Sequence, residues 1–170
     1  MNDATKPQEM EVAYAAFFAD GAVKPEFRKR FVSLWPGWLG PERLHELDTV
    51  NEIQWSKFNG FVRALAQIYQ FYAADVAEHT LERVDDIEAT LSSLAESMEK
   101  SSGEFSRYVL PELGCVLTED WDYTFVLWHR DDGAVEALAP MVARAGLFIH
   151  CGHCLSCLSR SLPCIGSVES

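Results

Sequence analysis

The sequence has 170 residues, of which 48% are hydrophobic, and its net charge of −12 results from 14 Lys and Arg against 26 Asp and Glu. A chain of this length can bury about 70% of its unfolded surface, so it needs no disulfide framework to fold. The negative charge repels phosphate backbones and excludes general nucleic-acid binding, while it suits either plain solubility or a basic protein partner.

The sequence predicts a cytoplasmic protein. No apolar run approaches the roughly 20 residues that a membrane-spanning helix needs. The N-terminus carries Asp3 and Glu9 where a secretory signal would carry basic residues. The first 114 residues contain no cysteine, so the core is not built on disulfides.

Helical spacing of apolar residues dominates the N-terminal half. It predicts helices over 9–19 and 25–34, and the longest helical signal spans 51–98. A single helix of that last length would extend roughly 70 Å, so we expect a break near Glu78 to Thr80. The basic run Arg28-Lys29-Arg30 is then predicted to lie on the solvated face of the second helix.

A turn-rich joint follows the second predicted helix, and Pro36-Gly37 and Gly40-Pro41 punctuate it. It carries three large apolar residues, Trp35, Trp38 and Leu39. These side chains plug the end of the helical core, or they form an exposed aromatic patch for a partner or for another subunit. Trp is enriched at binding hot spots, which makes Trp38 a candidate contact residue.

The C-terminal half carries the strand signals. Three extended segments are predicted, at 107–118 with an interruption at 111–114, at 123–130 and at 147–150, with a helix over 134–145 before the last of them. The predicted fold class is α+β, in which a helical N-terminal half packs on a small three-stranded sheet ordered strand–strand–helix–strand. We expect one domain over residues 1–150, with helices over about 9–100 and the sheet and its helix over about 106–150, and a Cys-rich tail over 151–170.

The connection between two of these strands carries the candidate contact surface. Its residues are Glu119, Asp120, Trp121, Asp122 and Tyr123. They form either a polar hairpin turn with the Trp folded back on the sheet, or a surface in which an aromatic anchor and carboxylates complement a basic partner.

The tail holds a cluster of possible metal ligands and thiols. Its members are His150, Cys151, His153, Cys154, Cys157 and Cys164. The Cys-Gly-His-Cys motif at 151–154 resembles the active dithiol of protein disulfide isomerases, which implies redox chemistry. Only 16 residues follow Cys154, whereas most of a thioredoxin-like domain follows its motif.

Two further interpretations of the tail remain open. The Cys-x2-Cys-x2-Cys spacing resembles the opening of a bacterial ferredoxin motif, and any tetrahedral set of the same ligands suits zinc, so the alternative cofactors are zinc or an iron–sulfur cluster. The third interpretation is a loosely structured end or a short helix, in which the cysteines act as small hydrophobic residues and no cofactor is bound.

Catalytic patterns are otherwise scarce. The sequence contains no G-x-S-x-G, P-loop, H-E-x-x-H or dinucleotide-binding motif. Cys115 and His129 are expected on adjacent strands, but in apolar surroundings, where a Cys–His pair serves packing rather than nucleophilic catalysis.

These observations favour a non-enzymatic protein that binds a basic protein partner, such as an acidic inhibitor or an immunity protein that neutralises a basic toxin or enzyme. Its carboxylates would occupy positions where a nuclease expects phosphate. The alternative is a metal- or thiol-dependent protein that uses the tail cluster.

Overall fold

Residues 13–152 are described in the computed structural model, where they form nine strands, three α-helices and five short 3₁₀ helices. The strands are β1 (Phe18–Ala19), β2 (Ala22–Val23), β3 (Arg28–Ser33), β4 (Tyr72–Asp75), β5 (Thr80–Arg83), β6 (Arg107–Leu110), β7 (Cys115–Asp120), β8 (Thr124–His129) and β9 (Phe148–His150). The α-helices are α1 (Glu52–Ala66), α2 (Leu94–Glu99) and α3 (Asp132–Arg144). The 3₁₀ helices are Tyr14–Ala16, Pro41–Thr49, Ile87–Thr90, Ser102–Glu104 and Pro111–Leu113. None of the helices in this part of the chain is long and apolar enough to cross a membrane.

Seven strands form one antiparallel sheet in the order β5–β4–β6–β7–β8–β3–β9, while β1 and β2 pair separately. β3 comes from the N-terminal half but lies between β8 and β9, with Arg28 opposite His129 and Ser33 opposite Phe148. Because β3 is antiparallel to both neighbours, β8 and β9 run parallel to each other, and α3 connects them.

The predicted fold class is therefore wrong. The N-terminal half is not a helical layer on a three-stranded sheet, because three strands of the seven-stranded sheet come from it and α1 is the one α-helix in its described part. Strand formation depends on pairing and burial against distant segments, which local spacing does not report.

The segment 25–34 shows most clearly how pairing with distant segments overrides local spacing. Its apolar spacing predicts a helix, but residues 28–33 form β3 near the centre of the sheet. Because side chains alternate along a strand, the fully buried Val32 faces the helices, whereas Lys29 and Phe31 face the opposite side of the sheet. The predicted solvated basic face is thus divided between two sides of a sheet, and the Lys29 ammonium lies 4.4 Å from the centre of the Trp128 ring.

The long helical segment begins where predicted. The Asn51 side chain accepts hydrogen bonds from the backbone N–H groups of Ile53 (3.0 Å) and Gln54 (3.1 Å), and the Gln54 side chain accepts one from the Asn51 N–H. This capping box satisfies N–H groups that would otherwise lack partners in the first turn. α1 then ends at Ala66.

The rest of that segment is mostly not helical. β4 and β5 form a hairpin whose turn contains the predicted break, with His79 in the left-handed region at φ 55°. The Asp75 side chain accepts hydrogen bonds from the N–H groups of Ala77 and Glu78, both at 2.9 Å. β4 also pairs with β6, so its backbone groups find partners that a helix ending in solvent would lack.

The predicted helix over 9–19 is also wrong in its described part. After the 3₁₀ turn at Tyr14–Ala16, β1 and β2 form a hairpin around Asp20 (φ 50°) and Gly21 (φ 77°). An Asp-Gly pair suits a two-residue hairpin turn because both positions need positive φ.

The predicted elements of the C-terminal half are confirmed individually. β8, α3 and β9 lie at the expected positions, whereas the interrupted segment 107–118 forms two strands, β6 and β7, that pair with each other. The cap of α3 is Asp131, whose side chain accepts from the Gly133 N–H at 2.9 Å. Gly146 follows the helix with φ 74°, as a residue after a helix C-terminus often does.

The large sheet separates two apolar clusters. The main core lies between the sheet and helices α1 and α3, and includes Phe58, Phe61, Leu117, Leu127 and Leu138. The second core lies on the opposite face, where residues 13–27 cover Val109 and Val116 with Phe17, Phe18 and Phe27. The connection between β7 and β8 extends from the middle of this sheet.

Candidate functional site

The acidic tip, residues Glu119–Tyr123, is the end of the β7–β8 hairpin. Asp120 pairs with Thr124, so Trp121, Asp122 and Tyr123 form the connection. Asp122 (φ 59°) and Tyr123 (φ 53°) both occupy the left-handed region, which costs about 1–3 kcal/mol for a residue with a side chain. Such strain persists only where the surrounding contacts hold the backbone in place.

Aromatic contacts hold the tip. The Tyr123 ring lies edge-on to Trp55 at a centroid distance of 6.4 Å, and its hydroxyl donates to the Met98 Sδ at 3.2 Å. Trp121 lies edge-on to Phe105 at 4.7 Å, yet 59% of its surface is exposed. The turn therefore directs Tyr123 toward the protein and leaves Trp121 accessible.

Three exposed carboxylates surround Trp121 and Tyr123: those of Asp48, Asp120 and Asp122. None of them forms an ion pair with any residue of 13–152. Burial, followed by the nearby charges of Asp48 and Asp122, raises the pKa of Tyr123. The tip is thus locally anionic and not neutralised by the described part of the protein.

Glu119 differs from these three acids because it is 7% exposed. Its carboxylate accepts hydrogen bonds from Ser97 Oγ (2.6 Å), Lys100 Nζ (2.8 Å) and the Ser106 N–H (3.1 Å). Burial acts to raise the pKa of Glu119, but these bonds outweigh it and hold the pKa below its usual value. Glu119 thus ties α2 and the segment that follows it to the end of β7.

The acidic tip borders a depression around Trp121. A second depression, the Trp38 cleft, adjoins it. Its walls are Phe31, Ser33, Trp35, Gly37, Trp38, Leu39, Leu44, Leu47, Asp122, Thr124 and His150. Leu47 and Asp122 also line the depression around Trp121. The acidic tip and the turn that carries Trp38 therefore form one continuous surface.

The turn after β3 positions Trp38 in this cleft. Ser33 Oγ donates to the Trp35 carbonyl (2.8 Å) and accepts from the Trp35 N–H (3.3 Å), which fixes the start of the turn. Leu39 is buried, Trp35 packs against the main core and Trp38 is 54% exposed. Of the two interpretations of this turn, core packing therefore applies to Leu39 and Trp35, whereas an exposed aromatic surface applies to Trp38.

The Ser33–His150 contact at the base of the cleft is not that of an activated nucleophile. His150 Nδ1 accepts from the Gly152 N–H (3.3 Å), so the proton of the neutral ring lies on Nε2, which donates to Ser33 Oγ at 3.3 Å. The Ser33 hydrogen points to the Trp35 carbonyl and not to the histidine. Burial lowers the pKa of His150 and favours this neutral form.

Cys115 and His129 face each other across β7 and β8, as the sequence predicts. Both are fully buried, and burial raises the pKa of the Cys115 thiol to about 12. His129 Nδ1 lies 2.8 Å from the Asp131 carbonyl, to which it donates, and burial lowers its pKa. A neutral thiol and a neutral imidazole in an apolar setting fit core packing.

The predicted metal ligands lie mostly outside the described residues. His153, Cys154, Cys157 and Cys164 belong to that part of the chain, so the metal site and the domain boundary at residue 150 stay predictions. Within residues 13–152, no three His, Cys, Asp or Glu side chains converge as metal ligands. His150 and Cys151 are described, and both ring nitrogens of His150 are hydrogen-bonded.

Sequence reasoning missed several residues of the surface. Asp48 and Leu47 belong to the 3₁₀ helix Pro41–Thr49, and Met98 to α2. These residues are more than 20 positions away from the acidic tip in the chain, so the local spacing of residue types does not indicate that they lie beside it.

Comparisons with protein families, with curated proteins and with solved structures found no match.

Proposed function

We propose that this protein is a non-enzymatic binding protein that recognises a basic protein partner, as an acidic inhibitor or an immunity protein neutralising a basic toxin or enzyme in the cytoplasm. The observation that carries the proposal is the group of exposed carboxylates around the accessible Trp121 ring, with no cation of residues 13–152 within ion-pair distance. A partner's Lys or Arg side chains would supply the missing charge.

Two features of the tip support a contact role. An exposed Trp can anchor an interface because it contributes a large apolar area with little side-chain freedom. The contacts of Tyr123 with Trp55 and Met98 hold the strained turn, and with it the anchor and its flanking carboxylates, in one arrangement before binding, which lowers the entropic cost of association. The net charge of −12 would also accelerate encounter with a basic partner.

The test begins with affinity capture of a partner on the immobilised full chain, followed by titration of the purified partner between about 50 and about 500 mM salt. We expect affinity to fall steeply with salt, and Asp120→Lys to weaken binding by about tenfold or more. The matched control is Glu136→Lys, which makes the same charge change at an exposed position of α3.

Binding that ignores both salt and Asp120→Lys would contradict the proposal. Equal losses for Asp120→Lys and Glu136→Lys would also contradict it, because they would indicate an effect of net charge rather than of this surface. Failure to capture any partner that binds in direct titration counts against it as well.

A further inference from the structure

We infer that the Trp38 cleft is an anchor site for one apolar side chain of the same basic partner, so that the partner segment carries a leucine or aromatic residue flanked by Lys or Arg. This inference rests on the proposed function and specifies the partner. The acidic tip would receive the basic residues, and the cleft would receive the apolar residue between them.

The interior of the cleft suits an apolar group. Its walls are mainly Phe31, Trp35, Trp38, Leu39 and Leu44. The polar atoms of Ser33 and His150 in the same walls already bond to each other and to backbone groups. Apart from the Asp122 carboxylate at the edge shared with the acidic tip, a polar ligand would therefore find few unsatisfied partners there, whereas an apolar side chain would exchange water for close packing.

The mouth of the cleft is accessible and apolar. Trp38 is 54% and Leu44 47% exposed. Phe148, which is 45% exposed, pairs with Ser33 across β3 and β9 and therefore lies on the same face of the sheet. Large apolar side chains gathered in this way are typical of contact surfaces rather than of scattered surface residues.

The charges around the cleft specify the rest of the partner segment. Asp122 is a wall shared by the cleft and the Trp121 depression, and Asp48 lies one residue after the other shared wall, Leu47. The exposed Glu42 lies on the same 3₁₀ helix that supplies Leu44. An apolar residue seated in the cleft would place neighbouring residues beside these carboxylates, which complement Lys and Arg.

The first experiment uses the captured partner and compares Trp38→Ala and Leu44→Ala with Ile68→Ala. Ile68 is 61% exposed but lies outside both depressions, so its variant controls for the loss of an exposed apolar side chain. We expect the two cleft variants to weaken binding by about tenfold at both low and high salt, and Ile68→Ala to leave it unchanged. The effect of Asp120→Lys should instead shrink as salt rises.

The second experiment needs no partner. We titrate N-acetyl-leucinamide and N-acetyl-lysinamide into the isotope-labelled full chain and follow backbone amide resonances by NMR. Leucinamide should shift the signals of Leu44, Leu47 and His150, and Trp38→Ala should abolish these shifts. Lysinamide should leave the cleft signals unchanged.

The outcomes separate the two proposals. If Asp120→Lys weakens partner binding but the cleft variants behave like Ile68→Ala, the cleft inference is overturned and the proposed function stands. If leucinamide shifts no cleft signal, the inference is likewise overturned. If no basic partner binds while leucinamide occupies the cleft, the proposed function fails, and with it the assignment of the cleft to a basic partner.

Discussion

At the scale of single residues, buried charge and surface charge have different tasks. Glu119 belongs to the acidic tip in sequence, but its carboxylate binds Ser97, Lys100 and the Ser106 backbone. Only 4% of its side chain and 17% of that of Lys100 is exposed, so this ion pair is poorly screened by solvent. Removing one partner leaves the other charge buried without compensation.

We therefore expect Glu119→Gln to lower the free energy of unfolding by about 2 kcal/mol, measured by urea denaturation near pH 7. Because the folded-state pKa of Glu119 is lowered, its stabilising effect is present above the unfolded pKa of about 4.3 and is lost as pH falls below it. The variant should lose this part of the acid sensitivity. Glu136→Gln, at an exposed site, should change neither quantity, and a matching loss there would contradict the role of Glu119.

The buried His129 and the half-buried His150 predict a second pH effect of the same sign. Burial lowers the pKa of both His129 and His150. Their neutral forms stabilise the fold fully above the unfolded pKa of about 6.5, and stability falls as pH drops below that value. Urea denaturation at several pH values should show this decline. The decline should be smaller in His129→Leu and in His150→Gln, and an unchanged slope in both variants would refute the assignment.

At the scale of elements, the β7–β8 turn combines backbone strain with a contact role. Replacing Asp122, which has φ 59°, by Gly should stabilise the folded protein. The substitution removes a left-handed backbone cost of about 1–2 kcal/mol, which exceeds the roughly 0.4–1 kcal/mol by which Gly favours the unfolded chain. We expect Asp122→Gly to raise the free energy of unfolding by up to about 1 kcal/mol while it weakens partner binding. Thermal denaturation and titration measure the two effects. Tyr123→Gly serves for comparison and should destabilise the fold, since it removes the contacts with Trp55 and Met98.

At the scale of the whole molecule, one long sheet brings the site together. β3 pairs with β8 and β9, which follow it by about a hundred residues, and the turn after β3 then places Trp38 next to Asp122 of the β7–β8 turn. The 3₁₀ helix Pro41–Thr49 adds Leu47 and Asp48 between them. The candidate surface is therefore built mainly from two stretches that are far apart in the chain, residues 31–49 and the β7–β8 turn.

The sequence by itself determined the elements whose signals are local. β7, β8 and α3 were predictable because apolar runs, the acidic connection and the Asp131-Asp132-Gly133 stop mark their ends within a few residues. The same holds for the start of α1 at Asn51, where a capping side chain acts within one turn. The acidic tip with its Trp121 was recognisable for the same reason.

Only the tertiary structure decided that 28–33 is a strand, that 72–83 is a hairpin, and that Trp38 meets the acidic tip. The apolar residues of these segments satisfy helical spacing as well as strand alternation, so periodicity alone does not distinguish the two states. Their backbone groups take partners on β6, β8 and β9, and the free energy of that pairing depends on contacts that no local window contains.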